Sequence, residues 1–156
     1  MVRTDSASSI VVSGTCVVQR TVLMIDGSET DRRLMRSAFD DAGSGCQFVG
    51  VKNWREALRY LNTGVSPDLI VLTLDDDLSG LEFVRILQAE TEWRSIPVSV
   101  FSGGSGYPEE KDAVHASGVS DYRTKPIDFD ALVAVASDLR ESIDERTASR
   151  KPAVRQ

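Results

Sequence analysis

The chain has 156 residues, of which 41% are hydrophobic and 27% charged, and its formal net charge is -6. This length and composition are typical of a globular protein with one domain of about 100 to 150 residues. The acidic balance disfavours non-specific binding to nucleic acid or to an anionic membrane, because both need a basic surface. No apolar stretch is long enough to span a bilayer, and no signal peptide is readable. Cys16 and Cys46 lack the paired spacing of a zinc or redox motif, so we expect a cytoplasmic protein.

Short apolar runs alternate along the chain with amphipathic segments, which is typical of a parallel sheet flanked by helices. In chain order the predicted elements are strand 22–25, helix to 42, strand 48–51, helix 54–61, strand 69–74, helix 81–87, strand 96–101, helix 109–117, strand 121–124 and helix 129–143. Ser28 and Asp128 can cap the first and last helices, and Gly43 ends the first. The run 69–74 does not alternate, as expected of a strand covered on both faces, and it predicts the centre of the sheet.

The two ends of the chain differ in composition from this repeat. Residues 1–20 are rich in Ser, Thr and Val, and they are either a disordered leader or an extra edge strand. Residues 147–156 carry basic residues beside Pro152, which is typical of a flexible, solvated tail. The domain is therefore expected to cover residues 21–146.

Polar residues follow several of the predicted strands. They are Asp26 after the first strand, Thr73 at the third, Ser102 after the fourth, and Lys125 with Pro126 after the fifth. In open α/β sheets the functional crevice lies outside the carboxyl ends of the strands, so these side chains should converge. Their order and spacing resemble the receiver domain of two-component response regulators, the CheY-like family, over roughly residues 20–145.

The resemblance implies a doubly wound, flavodoxin-like sheet of five parallel strands in the order 2-1-3-4-5, with five helices, and a non-enzymatic role in phosphorelay signalling. In the family a phosphoryl group is transferred to an aspartate at the end of the third strand, where this chain has Thr73. A threonine cannot form the acyl phosphate that an aspartate forms. We therefore expect an atypical receiver, a pseudo-receiver, that acts by protein-protein interaction without phosphorylation.

The family also binds Mg²⁺ beside the acceptor aspartate. Asp26 matches the first of two adjacent acids of that metal site, but Gly27 stands in place of the second. With Thr73 in the acceptor position, two of the three carboxylates are missing, and a single carboxylate holds Mg²⁺ poorly. We therefore expect no cofactor, with Mg²⁺ bound only if the site is functional, and we expect Asp26 to pair with the buried ammonium of Lys125.

Other matched positions carry family roles. In the family, the residue that matches Ser102 hydrogen-bonds the phosphoryl group, and the aromatic residue that matches Tyr122 changes rotamer on activation. The peptide bond before the residue that matches Pro126 is cis in the family. Ser102 can alternatively satisfy the glycine turn that follows it. The resemblance places the surface for a sensor kinase or a downstream target on the fourth helix, fifth strand and fifth helix, with Tyr122 on it. Family receivers often dimerise, and nothing in the sequence selects a monomer or a homodimer.

Two other functions stay open. From Thr73 to Gly80 is seven residues, one fewer than the usual distance in the family, so a register change can bring Asp75, Asp76 or Asp77 inward as a phosphoacceptor. Three like charges repel and stay hydrated, which favours a solvent-facing loop instead. The second alternative is a small-ligand binder that uses the same crevice, as flavodoxin-like folds bind flavin.

Overall fold

Five parallel strands form the central sheet in the computed structural model of this chain. The structure describes residues 10–12, 15–17, 20–43, 45–74, 79–102, 108–119 and 121–154, with side chains described for 20–43, 45–74, 79–102, 110–119 and 121–146. The strands are β1 Ile10–Val12, β2 Thr15–Val17, β3 Arg20–Ile25, β4 Cys46–Val51, β5 Leu69–Leu74, β6 Val98–Ser102 and β7 Asp121–Thr124. The main sheet has the order β4-β3-β5-β6-β7. Counted from β3, this is the predicted order 2-1-3-4-5, and β5 lies at the centre as predicted.

Helices connect the parallel strands. They are α1 Glu29–Ala42, α2 Trp54–Leu61, α3 Gly80–Ala89, α4 Pro108–Ala116 and α5 Phe129–Val154. The predicted caps are in place, since the Ser28 hydroxyl accepts from the Asp31 amide at 3.2 Å and the Asp128 carboxylate from the Ala131 amide at 2.7 Å. Gly43 ends α1 with φ of 144°, a conformation that favours glycine. In the described part of the chain, no helix combines the length and the apolar composition needed to cross a membrane.

The core has two layers because successive strand side chains point to opposite faces of the sheet. One face of β3 and β5 packs against α2, α3 and α4, and the other packs against α1 and α5. Every residue of β5 is buried except Thr73, which is half-buried. In β6, Val100 belongs to the first layer and Phe101 to the second, so alternation directs Ser102 toward the α4 side. By the same rule Thr73, two residues after Val71, is directed toward α1 and α5.

The structure differs from the prediction at both ends of the described chain. Residues 10–12 and 15–17 pair antiparallel as a two-stranded sheet of their own, so the described part of the leader is a hairpin and not an edge strand of the main sheet. A disordered leader over residues 1–9 lies outside the described residues. Residues 147–154, predicted as a flexible tail, continue α5. From Phe129 to Lys151 the sequence has neither Gly nor Pro, so no helix-breaking residue stops the helix before Pro152.

Candidate functional site at the carboxyl edge of the sheet

Asp26 lies at the bottom of the crevice, directly after β3. Only 5% of its surface is exposed. Its amide donates to the carbonyl of Val51 at 3.1 Å, and its Oδ1 accepts from the amide of Ser28 at 2.9 Å. The turn that caps α1 therefore also fixes the orientation of the Asp26 carboxylate.

Lys125 directly follows the edge strand β7, and its side chain reaches the Asp26 carboxylate across the carboxyl ends of the strands. The Lys125 amide donates to the carbonyl of Ser102 at 3.1 Å, which extends the ladder between β6 and β7 by one residue. Its ammonium contacts Asp26 Oδ2 at 2.7 Å, so the predicted ion pair is confirmed. The same nitrogen contacts Asp31 Oδ2 at 2.6 Å. Burial alone lowers the pKa of Lys125, but the hydrogen bonds and charges of Asp26 and Asp31 outweigh it, so the pKa is raised.

The hydroxyl of Thr73 is hydrogen-bonded to the same Asp26 carboxylate. Its Oγ1 donates to Asp26 Oδ2 at 3.0 Å. The register explains the contact. Ile25 pairs with Leu72 in the neighbouring strand, so Asp26, which directly follows β3, lies beside Thr73, which follows Leu72 in β5. One carboxylate oxygen thus accepts from both the Thr73 hydroxyl and the Lys125 ammonium.

Asp31 and Arg32, in the first turn of α1, complete the crevice and were not predicted. The Arg32 guanidinium donates to the backbone carbonyl of Asp26 at 2.6 Å. Its stem crosses Gly50 of β4, where an added Cβ would lie 3.0 Å from Arg32 Cδ. An acid five residues after Asp26, in a helix that begins at the crevice, was the available signal for Asp31.

The backbone at Pro126 differs from the family expectation. Among the described residues no peptide bond is cis, so the bond between Lys125 and Pro126 is trans. The trans form of a bond before proline is favoured by about 0.5 to 1 kcal/mol. The Lys125 ammonium reaches both carboxylates from this trans backbone, so the observed pairing does not need the cis form.

Ser102 and Tyr122 meet on the other side of the sheet. The Ser102 hydroxyl and the Tyr122 hydroxyl each donate to Glu110 Oε1 at 3.0 Å. Ser102 is 1% exposed and Glu110 5% exposed. The family role of Ser102 at a phosphoryl group stays a prediction, and the glycine turn offered as its alternative partner lies outside the described residues, as do Asp75, Asp76 and Asp77. The signal for Glu110 was its spacing, since it lies four residues before the buried Val114 on one face of α4.

The described donors do not fit a magnesium ion. Mg²⁺ needs near-octahedral oxygen ligands, and receiver domains commonly bind it at an acidic site. In the described part of the chain, no three His, Cys, Asp or Glu side chains converge as metal ligands. Both oxygens of Asp26 already accept hydrogen bonds, and Asp31 is paired with Lys125. The second acid of the family site is absent at Gly27.

The fold and the crevice define a class. A five-stranded parallel sheet in the order 2-1-3-4-5, with an aspartate and a lysine paired across its carboxyl edge, is the architecture of a CheY-like receiver. The family model of the response regulator receiver domain matches residues 22–137, and the chain belongs to that family. Receiver domains interact with sensor kinases and with downstream targets in two-component systems.

Similar proteins include both kinds of signalling component. The chain is 25% identical over 117 residues to the CAI-1 autoinducer sensor kinase/phosphatase CqsS of Vibrio cholerae, covering 74% of this chain and 16% of that protein. It is 31% identical over 118 residues to the phosphate regulon transcriptional regulatory protein PhoB of Klebsiella pneumoniae, covering 74% of this chain and 49% of that protein. The chain thus spans half or less of the length of these two relatives.

A solved structure shares the fold. The phosphorylated cyanobacterial phytochrome response regulator RcpA superimposes with a TM-score of 0.71 at 23% identity, covering 80% of this chain and 93% of that chain. At this identity the likeness is one of fold. Together with the sheet order, it confirms the predicted flavodoxin-like topology.

Proposed function

We propose that this receiver domain is a pseudo-receiver, a non-enzymatic cytoplasmic protein that acts by protein-protein interaction without phosphorylation at the usual acceptor position. The observation that carries the proposal is the contact between Thr73 Oγ1 and Asp26 Oδ2, with Lys125 on the same oxygen. We assign Thr73 to the acceptor position by its order in the sequence, and it is the second-last residue of the central strand. Phosphoryl transfer to aspartate forms a mixed anhydride with a carboxylate, and the threonine hydroxyl is not a carboxylate.

The charge balance of the crevice supports the same proposal. In the family the lysine faces the acceptor or its phosphate. Here the Lys125 ammonium is held by Asp26 and Asp31 at 2.7 and 2.6 Å. A buried cation needs such partners, and with two carboxylates beside it Lys125 is satisfied without a phosphate. The crevice is therefore stable in the unphosphorylated state.

Exposed apolar side chains beside the crevice support an interaction role. Ile127, in the loop between β7 and α5, is 98% exposed, and Phe129 at the start of α5 is 36% exposed. They adjoin the face formed by α4, β7 and α5, which we call the α4–β7–α5 face. Exposed apolar side chains that cluster at one place mark surfaces for protein partners. We propose that a sensor kinase or a downstream target binds at this face.

The decisive experiment is incubation with acetyl phosphate and Mg²⁺, followed by intact mass measurement. We expect no gain of a phosphoryl group. A gain that is lost when Asp75, Asp76 or Asp77 is replaced by Asn would establish a working phosphoacceptor in that segment and overturn the proposal. A gain lost in Thr73→Val would overturn it as well, because the hydroxyl would then be the acceptor.

Partner binding is tested on the same unphosphorylated protein. Immobilised wild type should retain a signalling partner from the native cell, and Ile127→Glu should weaken that binding at least tenfold. Val65→Glu is the matched control, because Val65 is an exposed apolar residue, 43% accessible, in the loop before β5 at the amino ends of the strands, away from the crevice. Equal loss in both variants, or binding only after phosphorylation, would refute the interaction surface.

A further inference from the structure

The hydrogen bonds of Glu110 join three elements of the domain. Glu110 is the third residue of α4, Ser102 ends β6, and Tyr122 lies on the edge strand β7. Both hydroxyls donate to the same oxygen, Glu110 Oε1, at 3.0 Å. These are side chains that the family uses to report on its crevice, and here both are bonded to one carboxylate.

This position suits a carboxylate. At 5% exposure the carboxylate has lost most of its hydration, and a buried charge is costly unless donors replace the water. Hydrogen bonds from hydroxyls to an ionised carboxylate are stronger than those between neutral groups. The first turn of α4 also favours negative charge, because the helix dipole is positive at that end.

We propose that Glu110 is a positioning residue that fixes the α4–β7–α5 face in one conformation, by holding the Tyr122 ring inward and the Ser102 hydroxyl in a hydrogen bond to α4. The inference rests on the proposed function, because it concerns the regulation of the same interaction face. Tyr122 packs partly against the core layer formed with α2, α3 and α4. A rotation of its ring outward would break the bond to Glu110 and reshape the face.

A proton count links this contact to the crevice. A serine hydroxyl has one proton to donate. In this structure the Ser102 hydroxyl is hydrogen-bonded to Glu110 at 3.0 Å and also contacts Tyr122, so an anion in the crevice would have to compete with these groups for its proton. Glu110 therefore makes the face less responsive to an anion in the crevice, which is the behaviour expected of a domain that signals without phosphate.

The state of Tyr122 supports the arrangement. Burial raises the pKa of the Tyr122 phenol, and the hydrogen bond and charge of Glu110 raise it further, against an opposing effect of Ser102. The phenol therefore keeps its proton at neutral pH and can donate it to Glu110. Removal of the Glu110 charge should lower the pKa of Tyr122.

The test uses the full chain with ¹³C-labelled tyrosine, observed by NMR. The Tyr122 signal is assigned by its absence in Tyr122→Phe. In the wild type we expect one Tyr122 ring environment and a phenol pKa above the ordinary 10.0. In Glu110→Gln we expect a lower pKa, line broadening or a second ring environment, and faster amide hydrogen exchange in α4 and β7. Asp112→Asn, which removes an exposed charge from the same helix, is the matched control and should behave as the wild type.

The outcomes separate the inference from the proposed function. If Glu110→Gln leaves the Tyr122 titration and the exchange rates as they are in Asp112→Asn, Glu110 does not position Tyr122 and the inference is wrong. If Glu110→Gln does not fold, Ser102→Ala and Tyr122→Phe each remove a single donor, and faster exchange in α4 for both supports the inference, whereas unchanged exchange overturns it. These measurements are made on unphosphorylated protein, so they stand whether or not acetyl phosphate modifies the chain.

Discussion

Replacement of Lys125 by Met tests whether the buried ion pair holds the crevice together. The change removes the ammonium and keeps an unbranched apolar stem. Asp26, at 5% exposure, then loses its counter-charge. Removing one partner of a fully buried pair costs about 3 to 5 kcal/mol. We expect a smaller loss, about 2 to 3 kcal/mol, because the Ser28 amide and the Thr73 hydroxyl still donate to Asp26 and the Lys125 side chain is 23% exposed.

The assay is urea unfolding followed by circular dichroism. The midpoint should fall while the slope stays unchanged, which reports a change in stability and not in the unfolded state. In a domain of this size each kcal/mol corresponds to roughly 2 to 4 °C in melting temperature, so a fall of roughly 4 to 12 °C is expected.

The matched control is Asp31→Asn, which removes the other carboxylate from the same ammonium. The Asp31 side chain is 36% exposed, and exposed ion pairs contribute about 0.2 to 1 kcal/mol. Lys125→Met should therefore cost clearly more than Asp31→Asn. If both variants lose the same free energy of unfolding, or if Lys125→Met loses none, then the burial of Asp26 does not determine how much the ion pair stabilises the fold.

Three further predictions concern the same end of the sheet. Ser28→Ala removes the cap of α1 and should lower the free energy of unfolding by about 1 kcal/mol in urea, whereas no loss would show that the cap is not needed. Because the pKa of Lys125 is raised above 10.5, its pairing stabilises the fold fully below that pH and is lost as the pH rises through the raised value. The stability difference between wild type and Lys125→Met should thus be constant between neutral pH and 10.5 and shrink as the pH rises above 10.5; a decline between neutral pH and 10.5 would contradict the pairing. A Gly27→Asp, Thr73→Asp variant should gain Mg²⁺ affinity by calorimetry, since a Cβ on Gly27 lies 3.9 Å from its nearest neighbour, and no binding would mean that the loops are rearranged.

The sheet and the Asp26–Lys125 pair could be predicted because both follow from patterns along single segments. The unalternating run 69–74 is short and rich in branched apolar residues, which favours a strand covered on both faces and so predicts the middle of the sheet. Parallel strands bring their carboxyl ends to one edge, so an aspartate after the first and a lysine after the last converge. A buried ammonium then requires a carboxylate, and Asp26 was the acid available at a strand end.

Asp31 and Glu110 escaped prediction because their partners are set by three-dimensional packing. Acids in the first turn of a helix are common and are usually solvated, so the position of Asp31 and the spacing of Glu110 are weak signals that do not identify their partners. Asp31 faces Lys125 because α1 begins directly above the crevice, and Glu110 is buried because α4 packs on the side of β6 to which Ser102 points. The extension of α5 through Val154 was missed because charged residues suit a solvated helix as well as a solvated tail.

The two unpredicted acids have a common consequence for the proposed function. A buried donor needs an acceptor, and in a phosphorylated receiver the phosphoryl group is one. In this chain Asp31 accepts from Lys125, and Glu110 accepts from Ser102. Each acceptor comes from the first turn of a helix, where negative charge is favoured. Restoring an aspartate at Thr73 alone would therefore return the acceptor without freeing the two donors that should respond to it, so recovery of a phosphorylation-dependent switch should require changes at Asp31 and Glu110 as well.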